Sequence, residues 1–439
     1  MPVDMDEMKR RRQLREQQRQ ARQRQQRMLT IKLLIALVVL IGVGVTILSV
    51  AAKREKEPVQ NPTGTAAPTQ TESQQEETPQ ETEKKPQEQE DKTVITFAAA
   101  GDLNITDNVV ASGGDAFDYT KTFMDVLPLL SQADLTAINI EGNFIGAPYG
   151  SQYASAPNQL LSAIGAMGVD LVQVANSYTI KNGVSGMIST IKTIRGAGFE
   201  TMGAYLDQND FEQTGGYTIR KIKGVKVAVV AFTKGMDSMT LPAGAEGCVN
   251  LLYEDYASAY QKVNTDEITK ILRSVAKEKP DITIALVHWG SEYNDIHSKS
   301  QENIRKLLLS EGVDAIIGTH PHYVQEIDFD KNTGTMVAYS LGDFISDGTK
   351  GGTEYSIVLE LEITKDHKAE KTYISGYRYT PIFTVNDEET LRVVRLSEAI
   401  ATYEAGHLGK VSKETYDDMI YARKRIAERV LVKQEVTEE

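Results

Sequence analysis

Five short apolar runs in this sequence each end in a residue that can bind a metal. The runs end at Asp102, Glu141, Asn176, His288 and the triplet His320-Pro321-His322. Apolar runs of this length, bounded by glycine or polar residues, are typical of buried parallel strands. The carboxyl ends of parallel strands meet at one edge of an α/β sheet, where ligands bind. The sequence therefore predicts that carboxylate, amide and imidazole groups converge there, and this donor set favours a divalent metal.

From residue 93 onward, the pattern alternates between predicted helices and strands and then becomes rich in strands. The predicted helices are 120–133, 158–167, 184–197, 266–278 and 298–311, with a helical tail over 390–407 and 412–432. The predicted strands are 94–100, 135–140, 171–174, a short strand ending near 204, 217–222, 225–232, 282–288, 315–318, 324–329, 337–340, 355–363 and 371–380. This order predicts an α/β sandwich of two packed sheets with helices outside.

The N-terminal region predicts a membrane anchor. Residues 33–52 are twenty residues without a charge, and about twenty apolar residues span a bilayer as a helix. Residues 1–32 carry ten Lys or Arg against four acidic residues, which places this end in the cytoplasm. The alternative is a cleaved signal peptide ending near Ser49-Val50-Ala51, but the apolar run is longer than a signal core of about 7–15 residues. We therefore expect a single-pass membrane protein with an extracellular C-terminal body.

Composition limits the partners and the chemistry of that body. The chain has a net charge of −13 although its first 32 residues are basic, so the body is acidic. Because nucleic acid binding needs a basic surface, nucleic acid is not expected as a partner. Cys248 is the single cysteine, which excludes an internal disulfide and a cysteine-based zinc site. Residues 53–92 are polar and charged, and we expect a disordered linker because they cannot bury enough apolar surface.

Each candidate ligand also has a structural interpretation. His320 and His322 would project to one side of an extended backbone, or they could be a pair of surface loop histidines. Asp102 could bind a metal or form a turn or helix cap, and His288 could be a buried histidine bonded to the backbone. Glu141 ends a buried strand and needs a cation or hydrogen-bond donors.

The remaining candidates are weaker. Asn176 could be a neutral metal ligand, and a simple turn residue is an equal alternative. Asp343 could orient a ligating histidine or could be a turn residue. His297, His367 and His407 lie in polar contexts and are predicted to be surface residues.

Several motifs, in order, resemble the CapA family of capsule and poly-γ-glutamate biosynthesis proteins, which look like calcineurin-type metallophosphoesterases. The motifs are Gly101-Asp102, Asn139-Ile140-Glu141, Val287-His288-Trp289-Gly290, Gly318-Thr319-His320-Pro321-His322 and Tyr339-Ser340-Leu341-Gly342-Asp343-Phe344. The resemblance covers roughly residues 93–347. It implies a four-layer αββα sandwich of two mixed sheets. It also implies that metal positions fall on Asp102, Glu141, His288, His320 and His322, with Glu141 bridging two metals.

One segment departs from the family pattern. The family usually has Ala-Asn-Asn-His followed by Asp-Tyr-Gly, whereas this chain has Ala175-Asn176-Ser177-Tyr178 and then Lys181 in place of the aspartate. Asp343 stands where the family usually has asparagine. Tyr178 and Lys181 are the candidate catalytic residues: Tyr178 could donate a proton, and Lys181 could neutralise a phosphate or stand in for lost metal charge. Tyrosine, with a pKa near ~10, is a poorer acid at neutral pH than histidine.

Two functions of different class follow from the resemblance. The first is a metal-dependent phosphoesterase-type hydrolase of the cell surface, holding one or two Mn, Fe or Zn ions and acting on a phosphoester or an anionic surface polymer. The second is a catalytically degenerate scaffold subunit of a membrane synthase or export complex.

The predicted layout is a cytoplasmic tail (1–32), a transmembrane helix (33–52), a linker (53–92), a CapA-like domain (93–385) and a helical C-terminal extension (386–439).

Overall fold

Two mixed β-sheets organise the computed structural model, which describes residues 91–387, 390–407 and 411–431. The strands of these residues are β1 (Lys92–Asn104), β2 (Leu135–Glu141), β3 (Leu171–Gln173), β4 (Glu200–Met202), β5 (Tyr217–Ile222), β6 (Val225–Thr233), β7 (Ile282–His288), β8 (Ala315–Thr319), β9 (Ile327–Asp330), β10 (Thr335–Ala338), β11 (Asp343–Ile345), β12 (Tyr355–Asp366), β13 (Lys371–Asp387) and β14 (Thr390–Arg395). The helices are α1 (Asp107–Ser112), α2 (Thr120–Phe123), α3 (Leu127–Ser131), α4 (Gln159–Ala166), α5 (Gly183–Gly196), α6 (Gln208–Thr214), α7 (Thr265–Lys277), α8 (Lys299–Ser310), α9 (Leu396–Glu404) and α10 (Lys413–Leu431).

Both sheets combine a parallel part with antiparallel strands at the edges. In the first sheet the order is β14-β13-β12-β1-β2-β3-β4. The short strand β11 pairs with Asp102 and Leu103 at the end of β1, after the last pair between β1 and β12 at Ala99. Strands β1 to β4 are parallel to one another, whereas β12, β13 and β14 are antiparallel. In the second sheet the order is β5-β6-β7-β8-β10-β9, with β6, β7, β8 and β10 parallel. The prediction of an α/β fold with two mixed sheets is confirmed.

Strand periodicity divides the apolar residues among three cores. Along β1, Phe97 faces the core between the two sheets, whereas its neighbour Ala98 faces the core on the outer side of the first sheet. Along β7, Ile284 faces the same inter-sheet core, and Ala285 faces the outer side of the second sheet. Successive side chains point to opposite faces of a strand, so each buried strand contributes to two cores. Helices α4 and α5 cover the outer face of the first sheet, and α7 and α8 cover that of the second, so the layers run helix, sheet, sheet, helix. Helices α9 and α10 instead pack against the core between the sheets.

Two segments differ from the sequence-based expectation. The predicted helix 120–133 is interrupted between α2 and α3, where Pro128 lies in the first turn of α3. Proline lacks the amide hydrogen that a continuing helix needs, so it starts a new helix instead. The predicted helix beginning at residue 390 starts with strand β14, which pairs along β13 from Ile382↔Arg395 to Asp387↔Thr390. Long-range pairing, which local sequence does not reveal, decides that conformation.

Among the residues that the structure describes, no helix combines the length and apolar character needed to cross a bilayer. The predicted tail and membrane span lie outside the described residues, as does all of the predicted linker except its last two residues.

Candidate metal centre

The carboxyl ends of four parallel strands bring buried polar side chains together. Glu141 ends β2 and His288 ends β7, while the turn from His320 to His322 follows β8 directly. Asp102 lies near the end of β1, opposite Asp343, the first residue of β11. All six side chains are buried: Asp102, Glu141, His288, His320, His322 and Asp343. The sheets therefore bring together all the predicted carboxylate and imidazole ligands.

Close approach of two backbones explains the glycines that precede the two aspartates. A Cβ atom on Gly101 would lie 1.8 Å from the carbonyl oxygen of Gly342. The amide of Asp102 donates to that same oxygen at 3.1 Å. Glycine is required where one backbone must come this near another. The two Gly-Asp motifs thus hold Asp102 and Asp343 side by side.

The first group of candidate ligands consists of Glu141, His288 and His320, whose ligand atoms all lie within 4.8 Å of one another. Glu141 Oε1 is 2.8 Å from His288 Nε2, and His288 Nε2 is 3.1 Å from His320 Nδ1. Glu141 Oε1 is buried and makes no hydrogen bond of acceptable geometry, even though His288 Nε2 is close to it. A buried carboxylate oxygen without a well-aligned donor is costly, and a cation would remove that cost. The donor set therefore fits a divalent metal.

The second group consists of Asp102, His322 and Asp343. His322 Nδ1 lies 2.7 Å from Asp343 Oδ1 and 3.8 Å from Asp102 Oδ2. The carboxylate of Asp102 is fixed by two donors, since Oδ2 accepts from the His320 amide at 2.9 Å and Oδ1 accepts from Asn139 Nδ2 at 2.5 Å. Together the two groups are compatible with divalent metal binding.

Burial perturbs the titration of the whole centre. It raises the pKa of Asp102 to about 7 and that of Glu141 to about 8. It lowers the pKa of His288 to about 4 and that of His320 well below its usual value. Burial also opposes protonation of His322, but the carboxylates of Asp343, Glu141 and Asp102 together outweigh it and hold the pKa of His322 well above the usual value. The imidazoles of His288 and His320 are therefore neutral and able to bind a cation, whereas a cation would have to displace protons from Asp102 and Glu141 near neutral pH.

The backbone of the His320-Pro321-His322 turn differs from the extended conformation expected from sequence, and that expectation is wrong. His320 has φ 93° and His322 has φ 60°, both in the left-handed region. Consequently the two imidazoles, whose ring centroids are 6.1 Å apart, enter different groups instead of lying side by side. Left-handed backbone at non-glycine residues costs roughly 1–3 kcal/mol each and is concentrated at functional sites.

The segment that departs from the family pattern lies against the first group. Asn176 Nδ2 donates to the Ile140 carbonyl at 2.7 Å, and its Oδ1 accepts from the Tyr178 amide at 2.9 Å. The side chain of Asn176 therefore fixes the turn that follows β3. Ser177 Oγ lies 3.1 Å from His288 Nε2 and 3.4 Å from His320 Nδ1. The serine hydroxyl thus stands beside the imidazole nitrogens of the first group.

The two candidate catalytic residues lie in different surroundings. Tyr178 is half-buried, and burial followed by the nearby Glu141 carboxylate raises its pKa to about 12. Lys181 is exposed, with its Nζ 5.8 Å from the centroid of the Tyr178 ring. The tyrosine therefore adjoins the buried centre, whereas the lysine lies at the surface beside it.

Sequence reasoning missed Thr319 as a partner of the centre and misplaced His297 elsewhere in the fold. Thr319 Oγ1 lies 3.0 Å from His288 Nδ1, which leaves Nε2 directed at Glu141. The position of Thr319 at the end of a buried strand, next to His320, was an available signal. His297 is also buried, with 4% of its surface exposed, and stacks on Tyr339 at a centroid distance of 4.0 Å. The prediction that His297 is a surface residue is wrong.

Fold and site together define an α/β protein with a buried carboxylate and imidazole centre at the strand ends. The family profile for bacterial capsule synthesis protein PGA_cap matches residues 96–348, more than half of the chain. This chain belongs to that family, and the resemblance to CapA proteins is confirmed.

Two curated relatives of this chain are also named as capsule or PGA biosynthesis proteins. The chain is 26% identical over 257 residues to the capsule biosynthesis protein CapA of Bacillus anthracis, a match that covers 56% of this chain and 58% of that protein. It is also 26% identical over 273 residues to the PGA biosynthesis protein CapA of Bacillus subtilis strain 168, covering 59% and 66%. The chain therefore spans less than two thirds of either relative.

Among solved structures, the chain is similar to the calcineurin-like phosphoesterase YfkN from Bacillus subtilis. The match has 16% identity and a TM-score of 0.40, and it covers 76% of this chain and 99% of that one. A likeness at this level carries no conclusion about the site.

Proposed function

We propose that this chain is a membrane-anchored CapA-type protein with a metallophosphoesterase-like fold, that it acts in the synthesis of an anionic capsule polymer, and that its buried centre binds divalent cations. The observation that carries the metal proposal is Glu141 Oε1, a buried carboxylate oxygen without a hydrogen bond, next to two uncharged imidazoles. Family membership supports the role in capsule synthesis. The apolar run over 33–52 supports the anchor, with the body outside the cell.

The proposed reaction is hydrolysis of a phosphoester. Divalent cations, when bound, supply a Lewis acid that activates water and offsets the charge of a phosphate group. Thr319 and Asn139 orient His288 and Asp102 through the hydrogen bonds described above, as partners of metal ligands commonly do. The pKa of Tyr178 is raised to about 12, so its hydroxyl stays protonated and can hydrogen-bond to a departing oxygen, as a weaker acid than the histidine usual in the family.

Metal-dependent turnover of an aryl phosphodiester by the full-length protein tests this proposal. We expect turnover with added Mn²⁺, loss of turnover with EDTA, and loss in the His320→Ala variant. His407→Ala is the matched control because His407 is exposed. If His320→Ala hydrolyses the diester as fast as the control variant, the proposed mechanism is wrong.

A second candidate is a scaffold that keeps the fold but not the reaction. The observation that favours it is the Ser177 hydroxyl, 3.1 Å from His288 Nε2, at the position where the family usually has asparagine. A hydroxyl is a weaker cation ligand than an amide oxygen. Complementation of a capsule-deficient strain separates the two candidates. A His288→Ala, His320→Ala double variant that restores polymer output supports the scaffold, and a folded double variant that does not restore it supports the enzyme.

A further inference from the structure

Helix α10 lies outside the region matched by the family profile, yet it contacts a loop that borders the candidate centre. Its apolar face packs into the core between the sheets through Met419, Ala422, Ile426 and Val430. Burial of these four side chains fixes the position of the helix. The polar residues beside that face meet the loop that joins β7 to α8, which begins directly after His288.

Two arginines of α10 hold one aspartate of this loop. Arg425 Nη2 donates to Asp295 Oδ2 at 3.0 Å, and Arg429 Nη2 donates to the same oxygen. The arginines are four residues apart, so they lie on one face of the helix. Their side chains are 25% and 18% exposed, so this pairing is only partly accessible to solvent. Charge-assisted bonds in such surroundings fix geometry more firmly than exposed ion pairs do.

The same loop contacts His322 two residues before Asp295. The Tyr293 amide donates to the Pro321 carbonyl at 2.8 Å. The Tyr293 ring stacks on the His322 ring with centroids 5.5 Å apart and an interplanar angle of 26°. The ammonium of Lys350 lies 4.9 Å from the centroid of the same tyrosine. His322 is therefore held by Asp343 at its edge and by Tyr293 on its face.

We propose that Asp295, Arg425 and Arg429 are positioning residues that keep Tyr293 against His322. Helix α10 thereby completes one wall of the centre, a role that rests on the proposed metal function of His322. Loss of the pairing frees the loop, and the imidazole then gains both rotamer freedom and access to water. Loss of the groups that support a metal ligand typically weakens metal affinity by roughly 10- to 100-fold.

Histidine footprinting tests the contact without relying on metal or turnover. The full-length protein is treated with diethyl pyrocarbonate over a range of alkaline pH, because the reagent attacks the neutral imidazole and the pKa of His322 is raised, and labelling at each histidine is measured by mass spectrometry. In Asp295→Asn and in the Arg425→Met, Arg429→Met double variant, we expect labelling of His322 to rise several-fold while His288 stays unlabelled. Arg423→Met is the matched control, since Arg423 is an exposed arginine of the same helix.

The outcomes separate a local role from a general loss of structure. Unchanged labelling of His322 in both variants overturns the proposal, and so does equal labelling of His288 and His322. An Arg425→Lys, Arg429→Lys variant retains the charges and is expected to return labelling close to the wild-type rate. If the lysine variant shows the same rise in His322 labelling as the methionine variant, that result also counts against positioning by charge.

Mn²⁺ titration then connects the contact to the proposed function. We expect Asp295→Asn to lower Mn²⁺ affinity about tenfold relative to the Arg423→Met control. An unchanged affinity overturns the link between α10 and the centre. If the wild-type protein binds no Mn²⁺, the proposed function fails, whereas the footprint of His322 still decides whether α10 positions Tyr293.

Discussion

Replacing Glu141 with glutamine gives the most informative test of the buried centre. The substitution keeps the shape of the side chain and removes its charge. In the metal-free protein, burial raises the pKa of Glu141 from 4.5 to about 8. Because the folded value lies above the unfolded one, the stability that Glu141 contributes is complete below pH 4.5 and is lost as the pH rises through about 8.

The size of the effect follows from that shift. Ionisation of Glu141 at high pH costs the metal-free wild type about 5 kcal/mol, from ~1.4 kcal/mol per pKa unit. A buried glutamine amide lacking a full set of partners costs about 1–3 kcal/mol in return. We therefore expect Glu141→Gln to be more stable than wild type by about 2–4 kcal/mol at alkaline pH, and to lose this advantage near pH 5.

Urea denaturation in EDTA at several pH values measures this difference. Repeating the experiment with Mn²⁺ tests whether the Glu141 carboxylate stabilises the protein when a metal is bound. Wild type should gain about 2.7 kcal/mol at a free metal concentration of 100 times the Kd, whereas Glu141→Gln should gain far less. Glu370→Gln, an exposed matched control, should behave as wild type in both series. A variant that is no more stable than wild type in EDTA at alkaline pH, or that gains as much from Mn²⁺, would refute the reasoning.

Three further predictions concern the same centre. Ser177→Asn, which places an amide oxygen beside His288 Nε2, should raise Mn²⁺ affinity about tenfold, equivalent to about 1.4 kcal/mol, in a calorimetric titration. Tyr178→Phe should leave that affinity unchanged and lower turnover of an aryl phosphodiester about 10²-fold, because the proton donor is lost. Mn²⁺ affinity should increase as the pH rises through the pKa values of about 7 for Asp102 and about 8 for Glu141, with proton release on binding.

Each of these has a clear contrary result. A lower Mn²⁺ affinity in Ser177→Asn would mean that the Ser177 hydroxyl is already a ligand of the ion. Equal turnover in Tyr178→Phe and wild type would remove the tyrosine from the reaction. Affinity that is independent of pH, measured in two buffers of different protonation enthalpy, would mean that neither carboxylate exchanges a proton for the metal.

The positions of the candidate ligands were predictable in part from a rule about parallel strands. Glu141 and His288 each terminate a run of apolar residues, which places each side chain at the carboxyl edge of its own sheet. The two residues belong to different sheets, so the packing of the sheets against each other brings them together. The class of fold followed in the same way from alternating helices and strands. The role of these residues as metal ligands stays a prediction.

Other parts of the structure could not be predicted, because they depend on contacts between distant segments. His320 and His322 have left-handed backbone, a conformation that is uncommon for residues other than glycine and that the local sequence did not indicate. Strand β14 was predicted as helix because a short stretch of sequence does not show its pairing with β13. The contact between Asp295 and Arg429 joins residues 134 positions apart, and a sequence alone does not indicate which charged residues form such pairs.

Elemental analysis of the full-length protein, purified without added metal, tests the central claim most directly. The account predicts about one to two equivalents of a divalent transition metal per chain. It also predicts loss of that metal in a His288→Ala, His320→Ala double variant and retention in His407→Ala. Absence of metal from wild-type protein, or equal metal content in the double variant, would contradict the claim that these strand ends form a metal centre.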